Sequence, residues 1–377
     1  MRKAFKYRIY PTKRQERLLI EILALCCELY NAALQERRDA YKIARKSISY
    51  TIQQNQLPDI KKTRKDLADL YSMVLQDVLH RVDNAFDGFL TRLKNGKKPG
   101  YPRFRSRSRY RSITYPQADN GSAKIVNGNL ALSKIGHIKI KVHRPIEGRI
   151  KTCMVKHSST GKWFAIFSCE VEVKPLPVNG KAVGADVGLE SFATLSNGEK
   201  ISNPRFLRKE EKELAKAQRQ LSAATKGSKE GKEKKKKVAR IHERINNKRH
   251  NFVHQQSAKI IKEYGIICIE ELKILNMVRN HCLAKSIMDA AWSLFFSCLL
   301  YKAECAGRKI AKVPPRHTSQ DCHKCGHRRT DLTLSDRIYH CANAECDLVI
   351  DRDVNAALNI LRLGLQSLGL RPIEAPA

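Results

Sequence analysis

Residues 181–195 are KAVGADVGLESFATL, two apolar strands on either side of a glycine-flanked aspartate. AVGAD is a short apolar run that ends on one carboxylate, Asp186. SFATL follows at hairpin distance, and Asn197-Gly198 is a tight-turn signal into a third short strand. A charge set among apolar strand neighbours is costly unless something compensates it, so Asp186 calls for a cation or hydrogen-bond donors. The bland alternative is a structural aspartate bonded to backbone amides or an arginine. Gly184 and Gly188 leave room around Asp186 for another backbone or a substrate to approach closely.

Downstream, a charged helical stretch from about Arg205 to Tyr264 is broken near TKGSKEGKEKKKK, residues 225–237. The run Lys234 to Lys237 beside Gly227 and Gly231 reads first as a solvated loop, with a phosphate-contacting helical hairpin as the sharper alternative. GIICIE (265–270) is a fourth strand, a helix covers about 286–307, RKIAKVP (308–314) is a fifth strand, and a last helix starts near Asp353. Three antiparallel strands, then helix, strand, helix, strand and helix is the order of an RNase H-like domain, which sets the fold class as α/β.

That order leaves two further acids at the ends of buried elements: Glu270 in YGIICIEEL and Asp353 in DRDVNAALNIL. Alternation alone leaves open whether Glu270 or Glu271 points inward. A helix starting at Asp353 places that carboxylate at its positive end, with Asp351 outside as a cap, which favours Asp353 as the ligand. Asp186, Glu270 and Asp353 together read as a metal-binding nuclease triad. Two divalent cations about 3.5–4 Å apart activate water and stabilise a leaving phosphodiester oxygen, and they need carboxylates converging on one point. Mg²⁺, or Mn²⁺, suits such a site because it completes its octahedron with water and substrate phosphate.

Just upstream of the third acid lie Cys322-x-x-Cys325 and Cys341-x₄-Cys346, with Gly326 after the first pair. Two thiolate pairs on opposed knuckles make a closed structural Zn²⁺ site. The second pair is stretched, which leaves His327 or His340 as substitute ligands and unmetallated thiols as the bland alternative. The other eight of the twelve cysteines sit singly or as Cys26-Cys27 among apolar neighbours and read as buried free thiols.

The 377-residue chain is long enough for more than one core. Its formal charge of +35 implies a polyanion as partner, and nucleic acid fits best. The longest apolar run, Ala290 to Leu300, falls short of the roughly 20 residues of a membrane span. MRKAFKYRIYPTKRQ at the start has no apolar core of a secretory signal, so a cytoplasmic location and no membrane partner are expected.

KAFKYRIYP alternates as a strand, and helical spacing runs from Thr12 to about Ser47 and again from about Lys65 to Lys94. In GYPRFRSRSRYRSITYP (100–116), Arg103, Arg105, Arg107, Arg109 and Arg111 recur at period two, with Tyr110 among them. A strand would place the guanidiniums on one face as a nucleic-acid contact strip; a charged edge strand is the alternative. Strand-like alternation to about Val173 gives a small β-barrel or sandwich, and KPLPVNGK (174–181) reads as a linker.

These motifs resemble the TnpB (OrfB) family, the insertion-sequence-encoded RNA-guided nucleases related to type V CRISPR effectors. KAFKYRIYPTKRQ, GYPRFRSRSRYRSITYP, GADVGLESFATLSNG, IEELKILNM, SIMDAAW, TSQDCHKCGH and DRDVNAALNI carry the resemblance. It implies a RuvC site at Asp186, Glu270 and Asp353, with a zinc ribbon of Cys322, Cys325, Cys341 and Cys346 inserted before the third acid. It further implies a wedge-like β-module (1–10 and 100–176), a helical recognition lobe (11–99), a RuvC domain (181–314 and 350–366), the ribbon (315–349) and a C-terminal tail (367–377) expected to be disordered. The implied partners are a guide RNA transcribed from the transposon end and double-stranded target DNA with a flanking motif, engaged by a monomer or a dimer on the RNA. Two departures stand out: Glu271 replaces a commoner aspartate, and the second cysteine pair is stretched. The competing readings are a nuclease-inactive RNA-guided repressor and a strand-transfer transposase.

Overall fold

The computed structural model describes residues 1–333 and 335–370, so residues 371–377 of the expected tail lie outside the described residues. The chain divides into two compact units, Met1–Glu172 and Val173–Ala377.

In the first unit, β1 (Arg2–Tyr10) runs through the middle of a seven-stranded antiparallel sheet. The other strands are β2 (Ser112–Tyr115), β3 (Ala123–Val126), β4 (Asn129–Leu132), β5 (Gly136–Lys141), β6 (Arg149–His157) and β7 (Trp163–Glu170). The order is β2-β6-β7-β1-β5-β4-β3. Among the described residues the two outer strands do not pair, so the sheet is a half-barrel and not the closed barrel or sandwich expected from the sequence. The alternation of β1 is realised directly: Phe5, Tyr7 and Ile9 enter the core while the basic residues between them face outward.

Four helices accompany this sheet: α1 (Lys13–Ala44), α2 (Tyr50–Thr63), the single turn α3 (Lys65–Ala68) and α4 (Ser72–Lys94). A capping box fixes the start of α1, since Thr12 accepts from the Gln15 amide and Gln15 returns a bond to the Thr12 amide. One face of α1, from Leu19 to Leu34, then buries against Val74, Leu75, Val78, Leu79 and Val82 of α4 in a common core. The polar composition of α2 and its internal Pro58 hid it from the sequence reading. It forms because Ser49 caps it and the buried Gln53 and Leu57 anchor it to α1.

In the second unit, β8 (Ala182–Asp186), β9 (Ser191–Leu195), β10 (Lys200–Ser202), β11 (Ile266–Glu270) and β12 (Lys309–Val313) form a sheet ordered β10-β9-β8-β11-β12. β8, β9 and β10 are antiparallel, whereas β8, β11 and β12 are parallel. The crossovers carry α5 (Phe206–Ser222), α6 (Lys229–Glu263), the turn α7 (Ile274–Met277), α8 (His281–Ala290) and α9 (Trp292–Ala306). A ribbon hairpin, β13 (Ile338–His340) with β14 (Val349–Asp351), precedes α10 (Arg352–Ser367). The element order is that expected from the sequence.

Lys234 to Lys237 lie inside α6 and not in a loop. Ser228 caps the helix, Glu230 pairs with Lys234 one turn on, and Ile241 and Ile245 pack on Leu214 and Ala217 of α5, so the pair forms a helical hairpin.

Two glycines let α10 lie flat on the sheet. A Cβ at Gly184 of β8 would fall 2.0 Å from the Ala357 carbonyl oxygen, and one at Gly364 of α10 would fall 2.3 Å from the Cys268 sulfur of β11. Helix and strand backbones therefore touch directly, with Cys268, Ala311, Val313 and Ile360 sealing the contact.

Two helical stretches, Lys13–Ala44 and His281–Ala306, reach the length and mean hydropathy of membrane spans. Half of the apolar stretch in the first is buried, as in a core helix. The second is interrupted at Ala291, whose backbone is left-handed.

Candidate metal centres

Asp186 is the last residue of β8 and Glu270 the last of β11, and these neighbouring parallel strands run in register from Ile266 opposite Ala182 to Ile269 opposite Ala185. The two carboxylates thus leave the same edge of the sheet side by side. Asp353 joins them from the first turn of α10, the helix seated on β8. Burial together with the negative charges of Glu270 and Asp353 raises the Asp186 carboxyl well above its ordinary range, and Arg352 opposes this only in part. Burial likewise raises Glu270, against a hydrogen bond from Thr318. This is the electrostatic signature of a site short of positive charge.

Glu270 is buried and Glu271 exposed, which settles the ambiguity that alternation left. Asp351 takes the cap position: its carboxylate accepts from the Asp353 and Val354 amides and pairs with Lys200 at 2.6 Å. Burial pushes Asp351 up, but Lys200 and the helix amides outweigh it and hold the group below the ordinary carboxylate range.

Two contacts at this edge have no periodic sequence signal. Thr318, in the loop after β12, donates to Glu270 Oε1 at 2.5 Å. Asn359 and Asn355, fully buried polar residues of α10, grip the same loop through the carbonyls of Thr318 and Asp321. Polar side chains at buried helix positions were the available sign.

The four cysteines form a second cluster. Cys322, Cys325, Cys341 and Cys346 bring their sulfurs within 4.8 Å of one another, the one such donor group among the described residues. The stretched second pair is accommodated by a turn in which the Cys346 amide bonds the Asn343 carbonyl, followed by left-handed Asp347. His327 and His340 are not needed as ligands. The His327 amide lowers Cys325 to about 6, whereas burial and the neighbouring thiols raise Cys341 to about 12. Four soft donors in a tetrahedral-sized cluster, one of them already acidic, fit structural Zn²⁺. The three carboxylates offer the oxygen donors that a hard cation takes, although among the described residues they do not gather as closely as the cysteine sulfurs.

The arginine strip departs from its expected geometry. Residues 101–111 are irregular, and β2 starts only at Ser112. Asn31 of α1 explains this, because its side-chain amide takes both the N–H and the carbonyl of Arg105, replacing a strand partner. A turn at Ser106–Arg109 then ends the alternation. Arg103, Arg105, Arg107 and Arg109 are exposed, Arg111 is half-buried and donates to the Ser108 carbonyl, and the Arg105 guanidinium sits over the Tyr30 ring. Tyr110, expected among the contact residues, is 3% exposed and packs between Tyr30 and Arg81, so its ring belongs to the core.

Three family models match the chain. A helix-turn-helix domain of the OrfB IS605 type covers residues 1–46, a model described as a probable transposase covers 166–281, and the Cas12f1-like TNB domain covers 292–360. The first of these stretches folds here as one strand and a single long helix. A Streptomyces pristinaespiralis protein named as a candidate RNA-guided DNA endonuclease is 36% identical over 382 residues, or 99% of this chain and 92% of its own. The similarly named InsQ of Escherichia coli K12 is 30% identical across 96% of this chain and 92% of its own. The Cas12f1 chain of a solved complex with sgRNA and target DNA superposes with a TM-score of 0.60 at 16% identity, covering 96% of this chain and 98% of that one. The class is therefore an α/β chain of Cas12f-like fold, with a half-barrel sheet and a four-cysteine cluster. Identity at this level along nearly the whole length is decisive: the chain belongs to the TnpB (OrfB) family.

Proposed function

We propose that this chain is the RNA-guided DNA endonuclease of an insertion sequence, cutting target DNA at a metal-dependent site formed by Asp186, Glu270 and Asp353. The observation that supports the cutting site is that Asp186 and Glu270 end the neighbouring strands β8 and β11 while Asp353 lies in the first turn of the helix seated on β8, with Asp186 raised by burial and by the charges of the other two. The relatives support the guided activity, since two are named for it across nearly their full length. Guide pairing then reads the target sequence, and the protein supplies backbone contacts and recognition of a flanking motif.

Asp186, Glu270 and Asp353 would hold Mg²⁺ or Mn²⁺, which when bound would polarise the scissile phosphate and supply a nucleophile at neutral pH. The chain's own residues set the rest. Strand termini on β8 and β11 hold two carboxylates on rigid backbone, and the first turn of α10 presents the third. Lys200 and Asp351 fix that helix start. Cys322, Cys325, Cys341 and Cys346 would hold structural Zn²⁺ and fix the ribbon that leads into α10. The exposed arginines at 103, 105, 107 and 109 would contact phosphates of the guide or target.

The test is a cleavage assay with the purified chain, its co-purifying RNA, matched DNA and Mg²⁺. Wild type should cut, and D186A should bind the same DNA without cutting. Joined strand-transfer products in place of free ends would favour the transposase reading, and binding without cutting by the wild type would favour the repressor.

A further inference from the structure

The acid site and the cysteine cluster are connected by a short buried chain of hydrogen bonds. Thr318, 6% exposed, donates its hydroxyl to Glu270 Oε1 at 2.5 Å. Its own carbonyl accepts from Asn359 Nδ2 at 2.9 Å, and the same nitrogen reaches the Asp321 carbonyl at 2.7 Å. One turn earlier on α10, Asn355 Nδ2 donates to the Asp321 carbonyl at 2.8 Å, and Asn355 Oδ1 accepts from the His323 amide at 3.0 Å and faces His323 Nδ1 at 3.1 Å. Cys322 lies between Asp321 and His323, so Asn355 clasps the first cysteine knuckle on both sides while Asn359 ties it to Thr318. They project from the helix that carries Asp353. Both are essentially without solvent contact, at 0% and 1% exposure, and the amide nitrogens of both donate to backbone carbonyls.

We infer that Thr318 is a positioning residue for the cutting site. Its hydroxyl fixes the rotamer of Glu270, and the cysteine knuckle, clasped by Asn355 and Asn359, holds Thr318 in place. A glutamate on a strand end has three side-chain torsions that set its oxygens, and cation ligation requires those oxygens in one orientation. Among the described residues the side-chain hydrogen-bond partner of Glu270 is Thr318, so this bond selects the orientation. An outer partner of a ligating carboxylate acts through the ligand and does not touch substrate. The inference rests on the proposed metal-dependent site.

The experiment compares wild type, T318V and T318S as guide complexes, reading Mn²⁺ affinity by electron paramagnetic resonance alongside cleavage rate, zinc content and target binding. Valine keeps the shape and removes the donor; serine keeps the donor. T318V should bind Mn²⁺ and cut about 10–100-fold more weakly with zinc content and target binding unchanged, the usual cost of losing an outer-sphere partner. T318S should restore both to within a few-fold of wild type. Combining T318V with N359D should cost no more Mn²⁺ affinity than the worse single change, because both act through the same bond. Wild-type Mn²⁺ affinity in T318V, or a T318S as weak as T318V, overturns the assignment while leaving the nuclease reading intact. A wild-type complex that neither binds Mn²⁺ nor cuts overturns both.

Discussion

The two clusters of the second unit were assembled by opposite means. The cysteines are close in sequence, and their sulfurs already lie within 4.8 Å of one another, with Cys322 and Cys346 at 3.7 Å and Cys325 and Cys341 at 3.5 Å. The acids come from three distant segments and form no such tight group among the described residues, although the charges of Glu270 and Asp353 add to burial in raising Asp186. Thiols are neutral when protonated and can pack together before a metal arrives; carboxylates near neutral pH repel, and one must keep a proton or wait for a cation. A structural site can thus be built by a local hairpin, whereas a working site requires the topology of a whole sheet and stores unbalanced charge at its edge.

This contrast can be broken at either end. The largest effect should come from D186A, D353A or E270Q, each lowering the cleavage rate by more than about 100-fold, beyond the usual cost of an outer partner, while gel-shift affinity for target stays near wild type. Next, C322S should lower bound zinc, measured by mass spectrometry, from about one per chain to near zero and reduce the melting temperature by more than about 5 °C, since structural zinc supplies folding free energy directly. Unchanged zinc content would refute the cysteine assignment.

A sharper distinction comes from pH. A carboxyl raised in the folded chain keeps stability that is present below its unfolded value and is lost as pH rises through the ordinary carboxylate range toward the raised folded value. Metal-free protein should therefore lose melting temperature across that window, and added Mg²⁺ should stabilise more above that window than below it. D186N should flatten both responses. The smallest effect belongs to the loop of the first unit: R105A with R107A should reduce nucleic-acid affinity and lower the log-log salt slope by about two. An unaltered slope would reduce those arginines to a charged surface.

Legibility from sequence followed the same division. AVGAD, GIICIE and the Cys-x-x-Cys spacing announce themselves because burial and ligation impose short-range patterns. Asp351 was readable as a cap because capping is local. Thr318 was not readable as the partner of Glu270, since a threonine in a loop acquires that role only when α10 lies across β8 at Gly184. The period-two arginines misled for a related reason: alternation describes a strand only if a backbone partner exists, and Asn31 takes the backbone groups of Arg105 instead. Tyr110 shared that pattern and proved to be core.

Mn²⁺ titration of the guide complex, followed by electron paramagnetic resonance, reads whether Asp186, Glu270 and Asp353 jointly hold a divalent cation. Saturable binding in wild type that D186N, E270Q and D353N each weaken, with zinc still in the ribbon, is the predicted result. Mn²⁺ binding unchanged by all three substitutions would contradict it.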